Sequence, residues 1–578
     1  MVIKKLIRLA VICIAFGLIS ACASHNNKME DTKTLLRYGE YQAAEKEINK
    51  LLSADRNKFL RLVELGVLNQ LKGDYNSSLN YLEAADKLAD SLYTVSFSDL
   101  AVRASTNASL TIYRSNLVER VYINYFKMLN YFYLAEQSTS RQAMQTLLDS
   151  AGVEARRAMI LLNENVFKTG DYQVAEQEKK SILYKLLQVF SKINGEVINP
   201  KALVFRDNAF SHYIIGTLFE KMDEKDSARV SYERAAKLYE QGYVKQYQLD
   251  KGTISQAWFD TARMLKARGD RRWRQVANSK LSVAQRKMLN LSTQGQGSLL
   301  LVQEVDMVAP RGELNLWAKI ENDQLVIRPI PTGNSKERAY QLAWFYYLYA
   351  DKGLLKVIEK IKFEQYRSLL TANHEKKISI PKALMKVLDS LELIEALSET
   401  GIRLSVPLIY YEELPIKSSY LEVMGKNQGR LILADNISGL AMAQHLVSAQ
   451  SELSNAMAIE VFRLSACVNA GAPAALCVFA AASSSSADTR SWLSLPYEIR
   501  TLRTNLTAGK HTLKLVSDVE GYKLEQVQEV NIKAGEVSLV RLRTFAVDPN
   551  QPLPKTIQKI RDASTIKVTK TSQTKKRN

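Results

Sequence analysis

The sequence predicts an α+β multidomain chain in three parts: an N-terminal α-helical repeat array, a mixed α/β middle domain and a small C-terminal antiparallel β domain. Three observations carry this. Gly39-Glu40-Tyr41-Gln42-Ala43-Ala44 returns 34 residues later as Gly73-Asp74-Tyr75-Asn76-Ser77-Ser78, and that period is the length of one helix–turn–helix repeat. After Gly295-Gln296-Gly297 the composition shifts to apolar, β-branched runs. From Asn505 two Ala-Gly turns, Ala508-Gly509 and Ala534-Gly535, are each followed by apolar residues at period two. At 578 residues the chain is too long for one core, so division into about three or four domains is expected.

The N-terminus has the parts of a secretory signal. Lys4, Lys5 and Arg8 form a positive start, and residues 9–19 are an apolar run too short for a comfortable membrane span. Ile19-Ser20-Ala21-Cys22 follows. An ordinary cleavage site needs no cysteine. This one resembles the bacterial lipoprotein signal, in which the thiol is acylated and becomes the new N-terminus. The resemblance implies lipidation at Cys22, with stable anchoring because more than one acyl chain is attached. Ala23, rather than Asp, follows the cysteine, which by the same resemblance implies the outer membrane, facing the periplasm or the cell surface.

The array is expected over residues 31–290. At a tetratricopeptide-like spacing, Gly39 and Gly73 end first helices, Gly66 lies where two helices pack, and Ala85 fills the small site after Ser78. Gly216, Ala228, Tyr232 and Ala235 repeat the small, small, aromatic and small pattern, and Gly170-Asp171-Tyr172 with Ala175 is a weaker copy. Between them residues 118–134 keep helical spacing with many tyrosines, read as core. Helix pairs of this kind stack into a curved array with a concave side that binds peptides or partner proteins. Arg271-Arg272-Trp273-Arg274 reads as an exposed loop or a contact patch.

Residues 298–305, 314–317, 324–327, 403–411 and 420–423 read as strands, and residues 339–350, 354–360 and 437–461 as helix. The expected boundaries are 1–21 for the signal, 22–30 for a linker, 31–290 for the array, 291–500 for the mixed domain, 501–548 for a β-sandwich-like domain and 549–578 for a basic, disordered tail.

Of the net charge of +19, three units fall in the signal and a net seven in the tail, leaving nine over the folded part. In a periplasmic protein such a balance favours anionic lipid, lipopolysaccharide or peptidoglycan over nucleic acid, unless it is simply a solvated surface. Export would place Cys467 and Cys477 in an oxidising space, where they form a disulfide or remain two small buried apolar residues.

Several stretches together resemble a family of uncharacterised bacterial tetratricopeptide-repeat lipoproteins. They are Glu119-Arg120 ahead of the tyrosine-rich helix, Val153-Glu154-Ala155-Arg156-Arg157-Ala158, the Asp-x-Arg-x-Trp segment from Asp488 through Arg490 and Trp492 to Pro496, and Ala508-Gly509-Lys510-His511. The resemblance implies an envelope location and no reaction. Physically, Asp488 and Arg490 would pair while Trp492 packs beneath Leu495 and Pro496, closing the junction of the middle and β domains. The sharper alternative makes Arg490 an anion contact.

No His-Glu-x-x-His, nucleophile elbow or P-loop occurs. Glu412-Glu413 would point to opposite strand faces, and residues 483–486 read as a serine linker. The expectation is a non-enzymatic, lipid-anchored scaffold without cofactor or metal. It would hold a protein partner in a secretion, pilus, motility or wall-synthesis assembly. The alternatives are a peptidoglycan- or lipopolysaccharide-binding protein acting through the basic tail and the β end, and an enzyme of unknown type with a site in the middle domain, which a deep polar pocket around Arg490 would favour.

Overall fold

A computed structural model describes residues 25–92, 111–163, 207–291, 293–349, 375–410, 414–548 and 550–561. The signal with Cys22, the weak repeat copy at residues 170–175, the helix expected at 354–360 and the Glu412-Glu413 pair lie outside them. The architecture is α+β. The helical part comprises α1 (Glu30–Arg37), α2 (Tyr41–Leu51), α3 (Lys58–Leu71), α4 (Tyr75–Ser91), α5 (Leu117–Gln137), α6 (Arg141–Asn163), α7 (Ala209–Lys221), α8 (Lys225–Leu238), α9 (Gly252–Ala267), α10 (Arg272–Lys280) and α11 (Val283–Asn290). A one-turn helix, His25–Lys28, precedes them.

Local chemistry sets these helix ends. Gly39 and Gly73 close the turns before α2 and α4 with φ of +74° and +79°, which a side chain rarely adopts. Asp74 caps α4 through the Ser77 amide at 3.0 Å. Asn116 and Glu119 form a reciprocal capping box at the start of α5, both bonds 2.9 Å. Helices then pack in pairs, α3 on α4, α5 on α6, and α7 on α8. Ala85, Ala228, Tyr232 and Ala235 are fully buried in these contacts. A Cβ built on Gly66 would stand 2.7 Å from the Leu82 side chain, and one on Gly216 2.8 Å from the Tyr232 ring. The basic-aromatic stretch is not a loop: Arg272 opens α10, and Lys266 and Arg274 lie 5.2 and 5.3 Å from the Trp273 ring centroid.

The strands are β1 (Gln296–Val305), β2 (Arg311–Glu321), β3 (Gln324–Pro329), β4 (Lys376–Ser379), β5 (Ile402–Ile409), β6 (Ile416–Val423), β7 (Lys426–Arg430), β8 (Ile432–Asp435), β9 (Glu498–Thr507), β10 (Gly509–Val519), β11 (Tyr522–Ile532) and β12 (Val537–Thr544). They form three four-stranded sheets among the described residues, ordered β12-β1-β9-β8, β11-β10-β6-β7 and β4-β3-β2-β5. The C-terminal segment is therefore not a self-contained antiparallel unit. β12 pairs in parallel with β1, and β9 and β10 pair with strands from the expected middle domain. The reason lies in β1, whose apolar residues face both ways. Leu300 and Val302 join the helical core, while Leu299 and Leu301 join Leu421, Leu513 and Leu515 between the first and second sheets. A strand buried on both faces needs a neighbour on each edge and a layer on each side.

The third sheet is covered by α12 (Ser335–Tyr349), α13 (Lys382–Ser390), α14 (Ile394–Glu399), α15 (Ile437–Asn469) and α16 (Ala474–Ser484). The segment 437–461 read as helix is the first part of the single 33-residue helix α15. Its first turns, Ile437 to Ala443, enter the helical core, and Leu453 to Leu464 enter the core under the third sheet. Ser483 and Ser484 finish α16 rather than forming a linker. Cys467 and Cys477 are joined by a disulfide across the α15–α16 turn, with Cα atoms 5.5 Å apart. Part of the expected disordered tail is also ordered. Ile557 is fully buried, Thr556 donates to Asp31 at 2.8 Å, and Arg561 lies 3.6 Å from Glu40.

Gly216→Ala should destabilise the protein by about 1–3 kcal/mol, because overpacking has no soft neighbour there. The Tyr232 ring is held through its hydroxyl by Glu220 at 2.7 Å and Thr217 at 3.1 Å. Denaturant unfolding of the variant beside the wild type measures the cost.

Candidate functional site

The Asp-x-Arg-x-Trp segment sits where the helices meet the sheets. Asp488 and Arg490 pair at 2.7 Å. The guanidinium also donates to Asn57 at 3.0 Å and lies 5.6 Å from the Tyr113 ring centroid. Trp492 has 0% exposure, donates through Nε1 to Ser494 at 2.9 Å, and stands 5.7 Å from the Phe126 ring. Its amide donates to Glu119 at 3.3 Å, and the Leu493 amide donates to Glu64 at 2.7 Å. The junction this segment closes is thus with α3 and α5 of the helical part, not between the middle and β domains. Trp492 packs on Phe126 because an indole of that size finds its apolar neighbours in the helical core.

Two carboxyls buried at this seam are displaced in the same direction. Burial raises the Glu64 pKa to about 7 against hydrogen bonds from Ser494 and Leu493. Burial also raises Glu119, against hydrogen bonds from Tyr113 and Asn116. A folded-state pKa above the ordinary value near 4.5 means that the neutral form of Glu64 favours folding. That contribution is complete below pH 4.5 and is lost as pH rises through about 7. It is worth up to about 3 kcal/mol. Glu64→Gln should flatten this part of the profile, so that denaturation midpoints at pH 5 and pH 8 differ less in the variant than in the wild type.

Three further buried networks join sheet to helices. Arg503 of β9 reaches Glu220 at 2.7 Å, Asp260 at 3.4 Å, the Tyr232 hydroxyl at 2.9 Å and Ser298 at 2.9 Å. Arg263 closes the same cluster with two 2.6 Å bonds to Glu220. Burial alone would raise the Glu220 pKa, but Arg263 and Arg503 together hold it well below the carboxylate range. Glu304 of β1 takes Arg541 at 3.0 Å and Arg543 at 3.1 Å, and accepts from the Tyr125 hydroxyl at 3.0 Å. Asp435 of β8 accepts from Tyr122 at 2.8 Å, Asn208 at 2.9 Å and Tyr243 at 3.0 Å. The tyrosine-rich stripe is core, with hydroxyls aimed at the sheet's carboxylates. None of these charged residues stood out in the sequence. The available signal was parity: Arg541 and Arg543 continue the face that Val537 and Leu539 begin, so they were placed to be buried. Arg503→Met should cost about 3–5 kcal/mol, since it leaves Glu220 and Asp260 to Arg263 alone. Chemical denaturation gives that value.

A cleft of about 1120 Å³ opens beside Arg490. The one-turn helix at His25, α1, the start of β2 and the start of α12 form its walls. Its charges are largely matched in place: Arg37 with Asp306 at 3.2 Å, and Arg403 with Glu313 at 2.9 Å. The His25 amide donates to Thr489 at 3.0 Å. Burial lowers the His25 imidazole to about 4, with Asp488 opposing. Among the described residues no group of three His, Cys, Asp or Glu side chains is placed to hold a metal ion.

No protein-family model matches the chain, and no curated protein matches it. Among solved structures it is similar to BtubC (BKLC) from P. vanneervenii, with 17% identity over 44% of this chain and 89% of that one. The TM-score of 0.19 is too low to carry an argument about fold or function.

Proposed function

We propose that the protein is a non-enzymatic scaffold of the bacterial envelope, anchored at the outer membrane through acylated Cys22 and holding a protein partner in a secretion, pilus, motility or wall-synthesis assembly. In this reading the helix pairs are tetratricopeptide-like repeats, and the chain belongs with the repeat lipoproteins its Asp-x-Arg-x-Trp segment resembles. The observation that supports it best is the placement of the cleft. Strands β1, β9 and β12 occupy one side of the helices through the Glu304 and Arg503 networks, so that side already has an internal occupant. The cleft leaves a polar concavity of about 1120 Å³ open at the residue nearest the expected anchor, and its hydrogen-bonding groups suit an extended polar segment of a partner. The border on Arg490 is what favours an enzyme instead. Arg490 is held by Asp488 and Asn57, and this engagement ranks the scaffold first.

A photo-crosslinking residue at Glu337, on the cleft wall, should capture one reproducible protein from intact envelopes. The same residue at Val527, 63% exposed on β11, should not. Equal yields from both positions would overturn the reading. The second reading, contact with peptidoglycan or lipopolysaccharide through the basic tail, is favoured by the seat of Ile557. Thr556 and Arg561 beside it root the tail on Asp31 and Glu40, in α1 and just before α2. Removing residues 562–578 should then reduce co-sedimentation with isolated peptidoglycan or lipopolysaccharide while leaving the crosslink intact.

A further inference from the structure

We propose that the tip of the α15–α16 hairpin seats in the lipid surface beside the N-terminal anchor. The proposal rests on the acylation of Cys22 proposed above. Between Arg463 and Asp488 stand 24 residues without one Asp, Glu, Lys, Arg or His, in a chain that is 24% charged. The run contains the hairpin turn, and that turn is exposed. Ala470, Gly471, Pro473, Ala474 and Ala475 face outward, Leu476 is 56% exposed, and Val468 and Phe479 are half-buried beside them. The opposite face of α16, with Cys477, Val478 and Ala481, lies in the core. A helix that is apolar on its outer face as well as its inner one is suited to a second apolar medium.

Apart from the first two amides of α16, for which the Pro473 cap offers no side-chain acceptor, the turn pairs its backbone internally. Lipid leaves unpaired amides unsatisfied. Here the amides of Ala470, Gly471 and Ala472 donate back to Ala466, Val468 and Cys467, and residue 473 is a proline with no amide hydrogen. The Leu476 and Cys477 amides both donate to the Pro473 carbonyl. The Cys467–Cys477 disulfide ties the two helices at this turn.

Position selects the occupant. The His25 amide is bound to Thr489, five residues past the end of α16. Two residues separate His25 from Cys22, a reach of about 10 Å. The eleven residues of α16 span about 16 Å from the same neighbourhood to the tip. The thiol and the hairpin turn therefore lie within about 40 Å of each other along this path, and a lipid surface is wider than that. No helix among the described residues is long and apolar enough to cross a membrane, so the contact is shallow, at the depth of an interfacial segment. Because the anchor makes the contact intramolecular, a few small apolar side chains suffice.

The test uses the full acylated protein reconstituted in phosphatidylcholine vesicles brominated near the headgroup end of the acyl chains. In flotation-purified vesicles, the tryptophan of a Leu476→Trp variant should shift to the blue and lose most of its added emission to bromine. That of Val527→Trp should do neither. Both sites are exposed, so folding is not at risk. Failure of the protein to float overturns the anchor and this proposal together. Flotation with unquenched emission from Leu476→Trp overturns this proposal alone. A blue shift without bromine quenching, accompanied by a dimeric mass, assigns the tip to a second copy of the chain and also overturns it.

Discussion

The structure depends on the pairing of Arg503 with Glu220 and Asp260 at the largely buried face between sheet and helices. A buried charge is costly unless its partners are close and its remaining hydrogen bonds are made. Here the guanidinium finds two carboxylates, a hydroxyl from Tyr232 and one from Ser298, and Arg263 completes the carboxylates' coordination. The arrangement exists only when β9 lies against α7, α8 and α9 together. Separating sheet from helices would leave several charges unpaired at once. An ionic seam of this kind fixes one docking geometry, where an apolar interface alone would tolerate sliding.

Glu304 and Asp435 extend the same principle across the sheet. Each presents a carboxylate from a strand to tyrosine hydroxyls on the helices. Tyrosine serves well in this position, because its ring supplies apolar area and its hydroxyl satisfies an acceptor. The Glu119 carboxylate does two tasks: one oxygen closes the cap of α5 and the other accepts from Tyr113 and the Trp492 amide. A residue that looks like an ordinary capping glutamate thereby becomes part of the helix–sheet joint. The consequence for function is that the helices act first on their own chain, and any outside partner meets what that leaves uncovered.

Three features converge near the start of the described chain. His25 touches Thr489, the cleft opens beside it, and the tail is rooted on Asp31 and Glu40. In the proposed reading this is the membrane-facing end, where a basic tail, an uncharged hairpin and an acylated thiol would act on the same surface. Each contact alone would be weak. Together they would set an orientation, because three points define how a body sits on a plane.

Much of the local structure was legible in the sequence. Turn glycines at Gly39 and Gly73, the close-approach sites Gly66 and Gly216, the β1 run and the two Ala-Gly turns all follow from steric rules that act over a few residues. The Asp488–Arg490 pair was legible for the same reason, since two residues apart is within side-chain reach. Sheet membership was not. That β12 lies parallel to β1, more than two hundred residues earlier, is decided by which apolar faces remain uncovered once every element is present. The partners of Trp492, Arg503 and Glu304 were hidden likewise, because a charge or an indole carries no mark of the distant group that will neutralise or cover it. The sequence by itself determined the helices, the turns and the class of chain. Only the tertiary structure decided that the first sheet shares the core of the helices, since burial and charge pairing are properties of neighbours in space.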